Sequence, residues 1–186
     1  SVCLTRGDEE IIVANKEGRA IRFNEQTVRT MGRNATGVRA MRIDEGDEVI
    51  GMVSVCNPEK DTVLVVSDQG YGKRSDVEDY RITNRGGKGV KTMNITDKTG
   101  KLVALKVVND EDDLMIINVS GITLRLHTSD IRVMGRATQG VRLINLSKRG
   151  DTIASICRVP REDEENINAE TSEATTEDSD HPENDN

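Results

Sequence analysis

The sequence predicts an all-β fold, a propeller-like array of four-stranded blades. A pattern of about 51 to 52 residues occurs three times along the chain. Each copy contains short apolar or alternating runs of strand length, bounded by glycine turns. Apolar residues at the three- and four-residue spacing of an amphipathic helix are missing. A repeat of this length built from short strands is typical of a propeller blade.

The first half of each copy predicts two strands joined by a glycine turn. A run of four apolar residues opens the copy and indicates a buried strand. In the strand after the turn, apolar and polar residues alternate, so one face belongs to the core. The opening strands are 11–14, 63–66 and 114–117, the turn glycines are Gly18, Gly70 and Gly121, and the clearest alternating strands are 20–23 and 123–126.

The second half of each copy is a loop rich in Gly, Arg and Thr, followed by a closing strand. The loops begin at Met31, Thr83 and Met134, and the closing strands are 49–55, 102–108 and 153–159. Residues 2–4 match the last strand of an earlier blade. We therefore expect a partial array over residues 1–160, with the end of one blade followed by blades near 5–56, 57–108 and 109–160, because propellers usually have four to eight blades.

The charge divides the chain into two regions. The formal net charge is −7, but residues 161–186 contain eleven acids and one base, a net −10, which leaves +3 for residues 1–160. Residues 161–186 have no apolar periodicity, and such a segment buries too little apolar surface to offset its ordering entropy. We expect 161–186 to be a disordered acidic tail.

Composition argues against several classes of function. There is no apolar run of membrane-spanning length and no signal-peptide pattern, so we expect a cytoplasmic protein with no membrane partner. Three cysteines, Cys3, Cys56 and Cys157, lie too far apart for a zinc or disulfide pattern, and we expect them to be small core residues. The histidines are His127 and His181, and no nucleophile or metal constellation accompanies them. We expect no cofactor, no small-molecule substrate and no catalysis by this chain.

Basic residues recur at equivalent positions of the three copies. One set lies in the alternating strand, one precedes the glycine loop, one lies inside it, and one follows a Gly-Val pair. In that order the sets are Arg22, Arg74 and Arg125; Arg29, Arg81 and Arg132; Arg33, Arg85 and Arg136; and Arg39, Lys91 and Arg142. Lys88 adds a further cation to the second loop. Equivalent positions in successive blades face the same way, so these side chains are expected to form one basic stripe.

A curved basic stripe is suited to double-stranded DNA. Lys and Arg at regular intervals neutralise phosphates without reading bases, and glycines beside them are expected to let backbone N–H groups approach phosphate. The acids cluster instead in the connections, such as 8–10, 44–48 and 110–113. Phe23, Tyr71 and Tyr80 are the whole aromatic set, too few for the stacking platforms of single-strand binders.

The glycine-arginine loops also carry a family resemblance. The runs GRAIRFNEQTVRTMGRNATGVRAMRI from Gly18, GYGKRSDVEDYRITNRGGKGV from Gly70 and GITLRLHTSDIRVMGRATQGVRLINL from Gly121 closely resemble the C-terminal domain of the bacterial DNA gyrase A subunit. The resemblance covers residues 1–160, and the acidic tail is similar to that subunit's ending.

This resemblance implies a six-bladed β-pinwheel that wraps DNA around its rim, of which this chain has about the last three blades. In the family, wrapping lets an A2B2 holoenzyme introduce negative supercoils using ATP. The catalytic tyrosine domain and the ATPase subunit of that holoenzyme are not in this chain. The family's basic box, Gln-basic-Arg-Gly-Gly-basic-Gly, belongs to the first blade; here Arg85 to Gly89 match its last five positions, whereas Thr83 and Asn84 replace the first two.

Two alternatives remain open at this level. The C-terminal domain of the topoisomerase IV A subunit is built from similar blades but serves a different activity, and the discriminating box lies outside the chain. A propeller that binds proteins and has an incidental basic face is the second alternative, since surface charge also serves solubility.

Overall fold

The computed structural model describes residues 1–146 and 150–160 and has eleven β-strands in that part of the chain. The strands are β1 Glu10–Asn15, β2 Arg19–Asn24, β3 Val49–Val55, β4 Thr62–Ser67, β5 Tyr71–Asp76, β6 Val90–Lys91, β7 Leu102–Val108, β8 Asp112–Asn118, β9 Thr123–His127, β10 Val141–Arg142 and β11 Ile153–Pro160. Three short 3-10 turns, Glu25–Thr27, Val77–Asp79 and Thr128–Asp130, follow β2, β5 and β9. The all-β prediction is confirmed.

Each repeat folds around its opening strand. β1, β4 and β8 are central, and each pairs antiparallel with the alternating strand on one side and with the closing strand on the other. The sheet orders are β3-β1-β2-β6, β10-β5-β4-β7 and β11-β8-β9. The three predicted strand types of each repeat therefore lie side by side in one sheet.

The fourth strand of a sheet comes from the next repeat. β6 lies in the second repeat but pairs with β2 of the first, at Arg19↔Lys91 and Ala20↔Val90. β10 lies in the third repeat and pairs with β5 of the second. Successive repeats are thus joined by exchanged strands. Sequence alone predicted four strands within each segment, and the repeat period cannot reveal an exchange that recurs with the same period.

The core lies between the sheets. β1 and β4 direct alternate side chains into different apolar clusters, so β4 places Val63 and Val65 against the first sheet and Leu64 and Val66 against the third. Burial on both faces explains the continuous apolar runs at the start of the first two repeats. A third cluster covers the other face of the first sheet.

Two expectations about smaller features are wrong. Residues 2–4 form no strand, and Val2 and Leu4 are exposed. Cys56 and Cys157 are exposed and Cys3 is partly exposed, because Cys56 follows the end of β3 and Cys157 lies on the edge strand β11. The predicted disordered tail, 161–186, lies outside the described residues.

Candidate nucleic-acid interface

Two of the three loops that carry the basic residues lie against the preceding sheet. We name all three the cationic loops: the first is 29–39, the second 81–91 and the third 132–142. The backbone N–H of Thr83 in the second loop donates to the Arg22 carbonyl at 2.9 Å, and that of Met134 in the third donates to the Arg74 carbonyl at 2.9 Å. The second and third loops therefore occupy matching positions on the first and second sheets.

Glycine is required where each of these loops meets its sheet. Gly89 and Gly140 have φ of 71° and 78°, a region that favours glycine. A Cβ on Gly140 would lie 2.6 Å from the Gly72 carbonyl oxygen, and one on Gly89 would collide with the Ala20 carbonyl. These two glycines allow close approach to protein backbone, not to phosphate as the sequence suggested, because the exchanged strand begins at the next residue.

The three cationic loops are joined in a row by recurring hydrogen bonds. Arg85 donates to the Arg39 carbonyl at 3.4 Å, and the equivalent Arg136 donates to the Lys91 carbonyl at 2.8 Å. The backbone N–H groups just beyond the first and second loops form a second matching pair of contacts. They join Arg42 to Gly87 at 2.8 Å and Asn94 to Thr138 at 3.0 Å. Consecutive loops are therefore neighbours in the same relative position.

Most of the predicted cations are accessible along this row. Arg85 and Arg136 are half-buried, and nine others are exposed: Arg29, Arg33, Arg39, Arg81, Lys88, Lys91, Arg125, Arg132 and Arg142. Five of the nine have neither an ion pair nor a side-chain hydrogen bond among the described residues: Arg29, Arg33, Arg39, Arg81 and Arg132. Their charge is available to a polyanion.

The remaining loop cations have weak or exchangeable partners. Lys88 lies 3.1 Å from Asp44, with both side chains exposed, and a pair of this kind contributes little stability. Arg142 donates to the Tyr71 hydroxyl at 2.9 Å and stacks over its ring. A phosphate could replace Asp44, since either anion satisfies the ammonium group.

Arg22 and Arg74 do not belong to the exposed stripe, contrary to the sequence prediction. They are 3% and 4% exposed. Arg22 pairs with Glu10 and Glu78 and donates to the carbonyls of Val77, at 2.8 Å, and Tyr80.

Arg74 makes the equivalent contacts in the second sheet. It pairs with Asp110 and donates to the Ile131 carbonyl at 2.8 Å, and Ile131 is the counterpart of Tyr80. Both arginines thus fasten the 3-10 turn of the following repeat. In the first two sheets the face of the alternating strand that carries this arginine packs against the following repeat, so it is not a solvent face.

Arg125, their counterpart in the third sheet, is half exposed. Its Nε donates to Asp113 at 2.6 Å, and His127 Nδ1 lies 2.6 Å from the other oxygen of that carboxylate. The hydrogen bond from His127, with a smaller contribution from Arg125, lowers the pKa of Asp113. Arg125 is therefore partly neutralised and differs from the unpaired loop arginines.

Sequence analysis missed two exposed cations near the row, Arg42 and Arg19, and the Arg19 guanidinium donates to the Gly89 carbonyl at 3.4 Å. Arg42 lies three residues beyond Arg39 and is exposed. The equivalent positions hold Asn94 and Asn145, so a search for cations recurring in every copy passes over it. In the sequence, only the closeness of Arg42 to the first loop indicated that it could belong to this surface.

Other kinds of site are not evident in the described residues. A cleft of about 250 Å³ between β2 and the second loop is lined by Arg81, Asn84 and Lys88 among others, and pockets for drug-sized ligands are usually larger. Within 1–146 and 150–160 there is no cluster of three or more His, Cys, Asp or Glu side chains that could hold a metal ion. No helix of that part of the chain is long and apolar enough to cross a membrane.

Comparison with known proteins gives three matches over most of the chain. Residues 9–56, 61–109 and 112–159 each match the family described as DNA gyrase C-terminal domain, beta-propeller. The DNA gyrase A subunit of Staphylococcus aureus (strain NCTC 8325 / PS 47) is 43% identical over 178 residues, which are 95% of this chain and 20% of that protein. The chain therefore spans about a fifth of this relative's length.

Solved structures show the same architecture. A DNA gyrase A C-terminal domain superposes with a TM-score of 0.74 at 28% identity, covering 81% of this chain and 50% of the other. A C-terminal domain of DNA topoisomerase IV superposes with a TM-score of 0.81 at 22% identity, covering 95% and 54%. The second likeness concerns the fold alone. The predicted propeller-like, β-pinwheel class is confirmed.

Proposed function

The chain belongs to the DNA gyrase C-terminal domain, beta-propeller family, and from this we propose that it is a non-catalytic domain of the gyrase A subunit that binds and wraps double-stranded DNA. Residues 1–160 form a partial β-pinwheel. Wrapping bends the duplex around the cationic loops, so that the holoenzyme introduces negative supercoils using ATP. DNA cleavage and ATP hydrolysis belong to other parts of that enzyme.

The row of joined cationic loops is the observation that carries this proposal. Arginines that are unpaired among the described residues recur at equivalent places in it: Arg29, Arg81 and Arg132 begin the three cationic loops and are all exposed. Such a series neutralises phosphates along the backbone without reading bases. Bending duplex costs about 1–6 kcal/mol per 20–30 base pairs, so a wrapping surface must repeat its contacts along the path.

The proposed partners follow from the same assignment. Duplex DNA is bound by this domain, and an A2B2 holoenzyme is completed by the gyrase B protein together with the remainder of the gyrase A protein. This places the protein in the bacterial cytoplasm, associated with the nucleoid. The identity of 43% to a gyrase sequence supports gyrase over topoisomerase IV.

The salt dependence of DNA binding tests the proposal. The affinity of the 186-residue chain for linear duplex should fall with salt, with a log–log slope of about −0.9 for each neutralised phosphate. Replacing Arg29, Arg81 and Arg132 by Met should reduce the magnitude of that slope by about 0.9 per arginine that contacts a phosphate. Lys60→Met, an exposed charge outside the cationic loops, is the matched control.

Wrapping is tested separately from binding. Nicked circular DNA ligated in the presence of the chain should change its linking number if the duplex is wrapped. A protein-interaction propeller would give neither the salt slope nor the change in linking number, and that result would reject the proposal.

A chimera separates gyrase from topoisomerase IV. The S. aureus gyrase A protein, with its matching 178 residues replaced by this chain, is assembled with the gyrase B protein. Negative supercoiling of relaxed plasmid supports the gyrase assignment. Decatenation without supercoiling would favour topoisomerase IV.

A further inference from the structure

The second sheet buries a lysine where the other two sheets have apolar residues. Lys73 lies on β5 at the position of Ile21 on β2 and Leu124 on β9, and its side chain is 0% exposed. Two residues on, Ser75 stands where the first and third sheets have Phe23 and Leu126. A buried charge is costly unless it is hydrogen-bonded, so this pair of polar replacements needs a structural reason.

The partners of Lys73 lie in the third cationic loop. Its Nζ donates to the Gly135 carbonyl and to Ser75 Oγ, both at 2.9 Å, and Ser75 Oγ in turn donates to the Met134 carbonyl at 2.9 Å. Together with the backbone contact from Met134 to Arg74, three consecutive residues of β5 hold the backbone of two consecutive residues of the loop.

The first sheet lacks this clamp. There the second loop keeps the backbone hydrogen bond from Thr83 to Arg22, but no side chain among the described residues donates to the carbonyls of Thr83 or Asn84. The clamp is therefore particular to the third loop. The clamped residues, Met134 and Gly135, come directly before Arg136. The guanidinium of Arg136 donates to the Lys91 carbonyl at 2.8 Å.

We propose that Lys73, together with Ser75, is a positioning residue for DNA binding: it clamps the third cationic loop so that Arg132, Arg136 and Arg142 meet the phosphate backbone in a fixed geometry. This inference rests on the proposed function. A loop ordered before DNA arrives avoids the entropy cost of ordering it on binding.

The charge of Lys73 makes this role dependent on pH. Burial lowers its pKa to about 8; Asp79 on the 3-10 turn opposes the shift and Arg136 on the loop adds to it. The Tyr80 hydroxyl also faces this region, and burial raises its pKa, so it stays neutral here. Above pH 8 the clamp loses its cation, and a neutral amine is a weaker donor than an ammonium group.

Folding stability and DNA affinity should respond to pH in opposite directions. An unfolded lysine keeps its proton to about pH 10.4, so between pH 8 and 10 the unfolded chain binds more protons and the free energy of unfolding rises. DNA affinity falls over the lower part of the same range because the clamp weakens. A lysine with a structural role alone would change stability but not binding.

Two variants of the full 186-residue chain test the proposal. Lys73→Met removes the cation, and the double variant Lys73→Ile/Ser75→Phe reproduces the apolar pair that the first sheet already accommodates. Binding to linear duplex is measured from pH 7 to 9 at constant salt, and urea unfolding over the same range. Lys60→Met is the control for loss of an exposed lysine charge.

The unsubstituted chain should lose about fivefold in affinity from pH 7 to 9, the size expected from ordering about one residue. Both Lys73 variants should bind about fivefold more weakly at pH 7, with little further change to pH 9, and should lose the rise in stability. If the variants fold and keep the affinity and pH profile of the unsubstituted chain, the positioning role is overturned. If Lys73→Met does not fold, the double variant alone provides the test. Absence of salt-dependent binding by the unsubstituted chain would instead reject the proposed function itself.

Discussion

At the scale of single residues, the recurring arginines occupy two different environments in this fold. Arg22 and Arg74 are buried and fasten the next repeat, whereas Arg29 and Arg81 are exposed and unpaired among the described residues. Both kinds recur with the repeat, so recurrence alone does not separate an interface residue from a structural one. Position in the fold separates them, because Arg22 and Arg74 lie on the strand face that packs against the following repeat, whereas Arg29 and Arg81 lie in the cationic loops.

Arg22→Met should destabilise the chain by about 2–3 kcal/mol, because it removes charge-assisted hydrogen bonds to the Val77 and Tyr80 carbonyls and leaves the partly buried Glu10 carboxylate without its cation. Urea unfolding measures the loss. Arg29→Met should change stability by no more than about 0.5 kcal/mol while weakening DNA binding. Equal stability of the two variants would contradict the structural role of Arg22.

At the scale of elements, the exchanged strands that join successive repeats are very short. β6 and β10 have two residues each, and each follows a glycine that lies against the neighbouring hairpin. A short strand contributes few hydrogen bonds, so its attachment depends on close approach of the preceding backbone. The same contact fixes the cationic loop that ends there.

Gly140→Ala should therefore detach β10 from β5 and cost about 1–3 kcal/mol, because a Cβ meets the Gly72 carbonyl and the backbone has positive φ. Faster amide hydrogen exchange at Leu143, whose N–H donates to the Gly70 carbonyl at 2.9 Å directly after β10, would report the detachment. Gly32→Ala is the matched loop control, since a Cβ there meets nothing within 4 Å and φ is not positive. Similar exchange rates in both variants would disprove the account.

At the scale of the whole molecule, charge is divided between two polyelectrolyte regions. Residues 1–160 carry +3 and residues 161–186 carry −10. We propose that the polyanionic segment 161–186 competes with DNA for the cationic loops, because its tether to the same chain gives it a high effective concentration.

A chain ending at residue 160 should therefore bind duplex DNA more tightly than the 186-residue chain, most clearly at low salt where charges are least screened. Binding isotherms at two salt concentrations check this. A chain in which the eleven acids of 161–186 are replaced by their amides should behave like the truncated one. Unchanged affinity on truncation would show that the segment does not compete.

Local periodicity was enough to predict the repeat, the strands, the glycine loops and the series of basic residues. Strand burial patterns and turn residues depend only on neighbours within a few positions in the sequence. Stacking of the sheets decided the rest. It placed Arg22 and Arg74 inside, gave Lys73 a carbonyl partner 62 residues away, and completed each of two sheets with a strand from the next repeat. These outcomes depend on contacts between repeats, and a periodic sequence gives the same pattern whether a strand stays in its own sheet or joins its neighbour's.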